Sequence, residues 1–516
     1  MHGHDEDVAA AAARQSRPMK VLVYNPLIAV WRPRFPAILA ITQQLIDEGH
    51  DVVFVGCDAS VPACTANLDH ARAICDYCTT RKEKGLDLLE GRFVRRGLSD
   101  YLDPAQAKAV RTSTDEIDSV DELRALEYRG ADIGYAAFSS YAYTARKPEP
   151  NLKNPTVRTV VQRLANTGKL VYEALRQAIE AEKPDRVILH HGRGAIDRAA
   201  LRACQHTGTE AWLYETALGV NRLLCFKDSL PHDIDNFVNR INEHWDEAPA
   251  EHDKQAIGSA FYRMRRSGGS TIETDGAVLA TQDRSFTGLQ REHTMPPDWR
   301  ADRKNIVIFG SSNDEFIAIS PEYEESIYDN QVDALDRLSR ALEGEPYHLY
   351  FRAHPRQRRV ENDYMRALMA LDESRDNVTF VRADSPVSSY ALLENADVVL
   401  AFRSTMQMEA VFWGKPAVIL SASLFKRLGA TYNPASHEEV LELLHTELAP
   451  KDNMPAIKFG YYQMTSGFEQ LYYGGDLSKG RNGYTFRDDP VHVGGFKRWL
   501  YILSRERQRI KWRRVL

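Results

Sequence analysis

The chain has no run of about 18 uninterrupted apolar residues, so it offers no candidate membrane-crossing helix. Six cysteines in 516 residues are too few for a disulfide scaffold. The 30 glycines and 23 prolines follow no period, which excludes collagen-like and low-complexity classes. Neither sign of charge dominates. Lys and Arg number 66 against 72 Asp and Glu, for a net charge of -6. That balance exerts no global pull toward nucleic acid. What is present, 43% hydrophobic and 27% charged residues, is ordinary globular usage. The length suits two to four domains, and a multi-domain enzyme is the default expectation.

The first residues, MHGHDEDVAAAAARQSRP, are acidic and lack both a basic stretch and an apolar core, so they do not read as a secretory signal. Residues 1–17 are expected to be a disordered leader. A cytoplasmic location follows, with the cysteines as thiols. The other end differs sharply. From Phe496 it carries Lys497, Arg498, Arg505, Arg507, Arg509, Lys511, Arg513 and Arg514 against the single acid Glu506, with Trp499, Leu500, Leu503 and Trp512 interleaved. Three readings fit residues 496–516: a closing helix packed on the body, a peripheral contact with the inner-membrane surface and, a distant third, a contact with nucleic acid.

Between the ends, apolar runs alternate with helical patterns. Lys20–Tyr24 and Asp51–Gly56 bracket a helical stretch around Ile38–Ile46. Val160–Ala181 precedes the strands Arg186–Leu189 and Ala211–Tyr214. The pattern restarts after a polar stretch, with strands at Asn305–Phe309, Tyr347–Phe351, Val378–Val381, Val398–Ala401 and Ala417–Leu420. This spacing predicts two doubly wound α/β domains in tandem with a cleft between them. The expected division is 18–295, with a helical insertion, then 296–450, then an extension over 451–516.

Open parallel sheets bind ligands at the carboxyl ends of their strands, so the candidate residues are those that follow strands. In the second domain, Phe402-Arg403-Ser404-Thr405 opens a helix that carries Glu409 one turn on. A helix start with two hydroxyls suits a phosphate, and Glu409 suits a ribose. Alternatively the hydroxyls only cap the helix. Arg352, His354 and Arg356 stand at another strand tip, and the arginine forks match phosphate oxygens. The loop holding Ser311 and Ser312 lacks the G-x-G-x-x-G and P-loop spacings, yet its backbone N–H groups suit a diphosphate. In the first domain, Arg193 and Glu215 each follow a strand. They read as a charge neutraliser and a base for an acceptor hydroxyl, or as a structural ion pair. Asn25, Arg32 and Arg34 are acceptor-side candidates. Cys57, Cys64, Cys75 and Cys78 read as buried thiols, with a structural zinc as the alternative; no metal or cofactor is expected in catalysis.

Taken together these segments resemble the bacterial capsule and surface-polysaccharide glycosyltransferases of the two-Rossmann (GT-B) type, including the Kdo-transferase-like capsule proteins. The resemblance is carried by His354-Pro355-Arg356, Ser385-Pro386, and the run Ser404-Thr405, Glu409, Gly414-Lys415-Pro416. It is carried also by Gly192, Arg193, Arg198 and Glu215, with His191-Gly192-Arg193 where such enzymes show Asn-Gly-Arg. It implies a nucleotide-sugar donor held by His354, Ser404, Thr405 and Glu409, and a glycan or glycolipid acceptor entering from the first domain. Other readings are a nucleotide-sugar 2-epimerase, a poly(alditol phosphate) transferase, and a non-catalytic membrane-docked scaffold.

Overall fold

The computed structural model describes residues 17–26, 34–147, 149–218, 221–267, 271–274, 277–280, 290–312, 316–358, 363–476 and 483–515. Residues 1–16 of the expected leader, and Arg32, lie outside these. The chain divides into two compact units. The first holds Met1–Pro231, Ile317–Ile319 and Gly467–Leu516; the second holds His232–Phe316 and Ser320–Ser466.

The first unit is built on a seven-stranded sheet. Its strands are β1 (Lys20–Asn25), β2 (Asp51–Gly56), β3 (Val94–Gly97), β4 (Arg186–His190), β5 (Glu210–Thr216) and β6 (Arg222–Lys227), with β14 (Phe468–Glu469) from far along the chain. The order is β14-β6-β5-β4-β1-β2-β3, and the run from β5 to β3 is parallel. Both faces are covered, which is why β1 and β4 read as continuous apolar runs rather than alternating ones. One face packs on the helices Ile133–Ala145, Pro155–Glu182 and Ala195–Thr207. The other packs on Arg34–Asp47. The 28-residue helix Pro155–Glu182 starts at Asn154, whose side chain accepts from Thr156 N, and ends at Lys183 in the left-handed region. Its Leu164 and Leu175 are wholly buried and contribute about 1.5–3 kcal/mol each. The antiparallel pairing of β6 with β5 and β14 has no counterpart in the expected βαβ pattern.

The second unit carries a short hairpin, β7 (Thr271–Thr274) with β8 (Ala277–Ala280), and a five-stranded parallel sheet. The sheet strands are β9 (Lys304–Phe309), β10 (Tyr347–Arg352), β11 (Val378–Val381), β12 (Val398–Ala401) and β13 (Ala417–Ile419), in the order β11-β10-β9-β12-β13. Each boundary lies within two residues of the one read from sequence. The domain division differs from the expected 295 and 450. The helices Ile234–Asp246 and Lys254–Ser267 belong to the second unit because they pack on Met454–Thr465. At that crossing the backbones touch. A Cβ on Gly258 would sit 2.3 Å from Ile457 O, and one on Gly460 would sit 2.2 Å from Gly258 O. A further hairpin, β15 (Tyr473–Gly475) with β16 (Tyr484–Phe486), packs with the first unit, as does the final helix Gly495–Val515.

In both sheets the strand order reverses beside the first strand: between β1 and β4 in one unit, and between β9 and β12 in the other. The carboxyl ends at these switch points are where open α/β sheets take ligands.

Candidate functional site

In the first unit the switch point gathers acids, imidazoles and one arginine. β4 ends in His190, and the next two residues turn sharply, with φ of +54° at His191 and +74° at Gly192. Gly192 suits the turn, because a side chain at its φ of +74° would be strained whatever the space around it. His191 holds the left-handed conformation with a full side chain, a strained state that clusters at functional sites. The turn places His191 Nε2 at 3.5 Å from Glu215 Oε1, with His190 Nε2 at 3.8 Å. Burial pushes the Glu215 carboxyl up to about 7; Arg34 pulls it back and Asp197 adds to the rise. Asp197 is itself pushed up to about 6 by burial, against the pull of Arg34, whose Nη1 lies 3.9 Å away. Burial, then the neighbouring Arg34 and His191, hold His190 well below the usual histidine value, so it is neutral. A carboxyl titrating near 7 is poised to take a proton at neutral pH.

Arg193 stands apart from this cluster. Its Nε donates to Ser139 Oγ at 2.6 Å and its Nη2 to Ile317 O at 2.8 Å. The cation that acts on Glu215 is Arg34, so the expected pairing of Arg193 with Glu215 is replaced. Arg198 likewise pairs elsewhere, with Asp132 at 2.6 Å. Asn25, at the end of β1, is buried, and its Nδ2 has no hydrogen-bond partner among the described residues.

The second unit presents arginines at the same edge. β10 and β12 flank β9, with Arg352 and Ala401 both in register with Phe309. Arg352, at the tip of β10, is 2% exposed. Its Nη1 donates to Arg382 O at 2.6 Å, while Nε and Nη2 are buried with no partner. Arg403, two residues beyond β12, donates from Nε to Ala422 O at 3.2 Å and from Nη2 to Tyr323 O. Neither guanidinium has an ion pair among the described residues. Burial pushes each down to about 10, opposed at Arg352 by Asp384 and at Arg403 by Tyr323 and Glu324. A buried cation without a counter-charge is costly, and two of them on strands flanking a switch point make an anion-seeking edge. Arg403 was not singled out from sequence, although it stands in the same run as Ser404 and directly follows a strand and Phe402.

The remaining candidates are largely engaged. Ser311 N donates to Gln331 Oε1 at 3.0 Å, and Gly310 N donates to Arg352 O at 3.0 Å. These two backbone N–H groups, expected to face a diphosphate, are therefore spent within the fold. Ser311 Oγ accepts from Gln331 Nε2, and Ser312 is buried beside it in the chain. The helix after Thr405, Met406–Phe412, is only seven residues long. Thr405 is the N-cap residue and makes no side-chain cap bond; Ser404 Oγ, one residue earlier, accepts from Met406 N at 3.3 Å. Thr405 Oγ1 accepts from Arg265 Nη2, also at 3.3 Å. Glu409 is 1% exposed and is held at both oxygens, by Arg265 at 2.9 Å and by the Tyr390 hydroxyl. It is not presented to a ribose; it anchors the helix to a neighbour 144 residues away in sequence. His354 lies half-buried two residues past β10. The side chain of Arg356 is outside the described residues. Lys415 Nζ donates to Ala396 O, which makes it a structural contact.

Cys57, Cys64, Cys75 and Cys78 form no disulfide among the described residues. Burial, reinforced by the nearby Cys78, pushes Cys57 up to about 12, so it is not a thiolate. Among the described residues no group of three or more His, Cys, Asp or Glu is arranged to hold a metal ion.

No protein-family description matches the sequence, and no curated protein matches it. Solved structures do. A KpsC β-Kdo 2,7-transferase from Thermosulfurimonas dismutans is 13% identical, with 65% of this chain and 89% of that one covered and a TM-score of 0.33. A putative UDP-N-acetylglucosamine 2-epimerase from Listeria monocytogenes is 13% identical over 88% and 92% of the two chains, with a TM-score of 0.23. The glycosyltransferase SnogD from Streptomyces nogalater is 12% identical over 87% and 96%, with a TM-score of 0.24.

Proposed function

We propose that the chain is a glycosyltransferase that moves a sugar from a nucleotide-activated donor to a surface or capsular glycan or glycolipid. The observation that carries this reading is Arg352, a fully buried guanidinium with two unsatisfied nitrogens at a ligand-binding sheet edge. With Arg403 it supplies the positive charge that a leaving nucleoside phosphate develops a need for, in a dry setting where such charge acts strongly. His354, Ser404 and Thr405 stand at the same edge as further contacts to the donor. Glu215 is the base. It takes the proton of the acceptor hydroxyl as that oxygen bonds to the anomeric carbon and the nucleotide phosphate departs with the electron pair of the broken bond. Burial sets it near 7, with Arg34 opposing and Asp197 adding to the rise, and Asn25 offers an amide to the acceptor.

Thermal melts with UDP, CMP, GDP and CDP test the donor half, since a ligand of the native state raises its Tm. One nucleotide should raise the Tm clearly, and its sugar conjugate should be consumed only when a glycan acceptor is added. A Tm unmoved by all four, or epimerisation of the donor with no acceptor present, overturns the reading.

A further inference from the structure

The helix Gly495–Val515 is fastened to the first unit along one side only. Tyr501 stacks on Tyr77 with ring centroids 4.2 Å apart, Arg505 donates to Ala66 O at 2.7 Å, and Lys511 pairs with Asp69 at 2.5 Å. Trp512 is buried, and its indole donates to the same Asp69. Positions 501, 505, 508 and 512 recur at helical spacing, so they form one face. The expected closing helix is therefore present on this side.

The opposite side has a different composition. Phe496, Trp499, Leu503 and Ile510 recur at the spacing of a single stripe, and Ile502 widens it. Phe496 is 70% exposed, Trp499 55%, Ile502 52% and Ile510 43%. No other part of the described chain exposes large apolar side chains in such a cluster; the remaining one, Leu471, stands alone. By helical geometry Arg498 and Arg509 flank the stripe on one side and Arg507 on the other. The one acid of the helix, Glu506, is answered by Arg509 at 2.5 Å.

An apolar stripe bordered on both sides by long cations matches one kind of partner. A second copy of the chain would set these cations against each other. A nucleic-acid backbone would use the arginines and leave Phe496, Trp499 and Ile502 in water. A bilayer surface uses both, with the aromatic and aliphatic groups at the acyl boundary and the arginines among the headgroup phosphates. We propose that this outward face docks the first unit on an anionic lipid surface, with the helix axis in the plane of the interface. The inference stands on the helix alone and is independent of the transferase reading.

The full chain, mixed with vesicles of phosphatidylethanolamine and phosphatidylglycerol or with vesicles of phosphatidylcholine alone, tests it by flotation. Binding should be confined to the anionic vesicles and fall steeply with added salt. Arg498→Gln with Arg507→Gln should weaken it by about 25-fold, taking roughly fivefold per cation. Trp499→Ser with Ile502→Ser should weaken it at least as much, and it should do so at low salt too. All four positions point outward, so the Tm of each double variant should equal that of the parent. Failure of the parent to float, equal binding to neutral vesicles, or variants that float as well as the parent would overturn the proposal. So would light scattering that shows a dimer broken by the same substitutions, or retention of an RNA duplex in place of vesicles.

Discussion

At the carboxyl edge of the first sheet burial raises two carboxyls, Glu215 and Asp197; at the same edge of the second sheet it lowers two arginines, Arg352 and Arg403. Both edges arise from one strand order, with helices alternating between faces, so topology does not set the difference. In the first unit Glu215 and Asp197 both feel the cation Arg34, yet burial drives their carboxyls toward neutral pH. In the second, Arg352 and Arg403 have carbonyl oxygens for neighbours and no carboxylate in an ion pair. One edge carries carboxyls suited to proton exchange and the other arginines suited to an anion. One strand order thus carries two opposite chemistries, and only the side chains tell them apart.

That contrast can be broken from either side. Glu215→Gln removes the proton acceptor and keeps the shape. Turnover should fall by about 10²–10⁴ while nucleotide binding is unchanged, as single-turnover rates and calorimetry would show. If binding falls equally, the edges do not divide the labour this way. Glu409→Ala leaves Arg265 buried without its partner and should cost about 3–5 kcal/mol in urea unfolding. A cost below about 1 kcal/mol would make Glu409 a surface-like group and return it to the ligand. Arg352→Met should weaken nucleotide binding by about a hundredfold, the value of charge-assisted bonds to a phosphate. The same variant should leave the ligand-free Tm unchanged or higher, since it removes an uncompensated buried charge. A fall in both would mark Arg352 as structural.

The smallest effect sharpens the acidic side. Free carboxyls titrate near 4. Between there and about 7 the folded protein therefore keeps protons at Glu215 and Asp197 that the unfolded chain has released. Stability should fall as pH rises through that window, by roughly 2 kcal/mol for the partly exposed Glu215. Denaturant titrations at pH 5 and pH 8 would measure it, and Glu215→Gln should flatten the difference. Over the same range kcat/KM should rise, because the base acts in its ionised form.

The strands were legible in the sequence because a sheet covered on both faces writes itself as unbroken apolar runs, as in Val21–Tyr24 and Val398–Ala401. The carboxyl ends of the strands were legible too, and Glu215 in β5 and Arg352 in β10 came from that rule. The partners were not. Arg34 reaches Glu215 across 181 positions of sequence, and Arg265 reaches Glu409 across 144; no local pattern marks such pairs. Arg403 carries no signal of its own, because the motif beside it is read from the hydroxyls of Ser404 and Thr405. The domain boundaries were missed for a similar reason. Lys254–Ser267 joins its unit by packing Phe261 on Phe459 and by a close backbone approach at Gly258 and Gly460, partners so far along the chain that no local pattern marks them.

The two-residue strand β14 has an effect beyond its length. It lies antiparallel along β6, at what would otherwise be the open margin of the first sheet. Unpaired margins recruit strands from other molecules. A chain cut before Gly467 would uncover Leu223 and its neighbours, and self-association into aggregates is the outcome to expect from such a truncation.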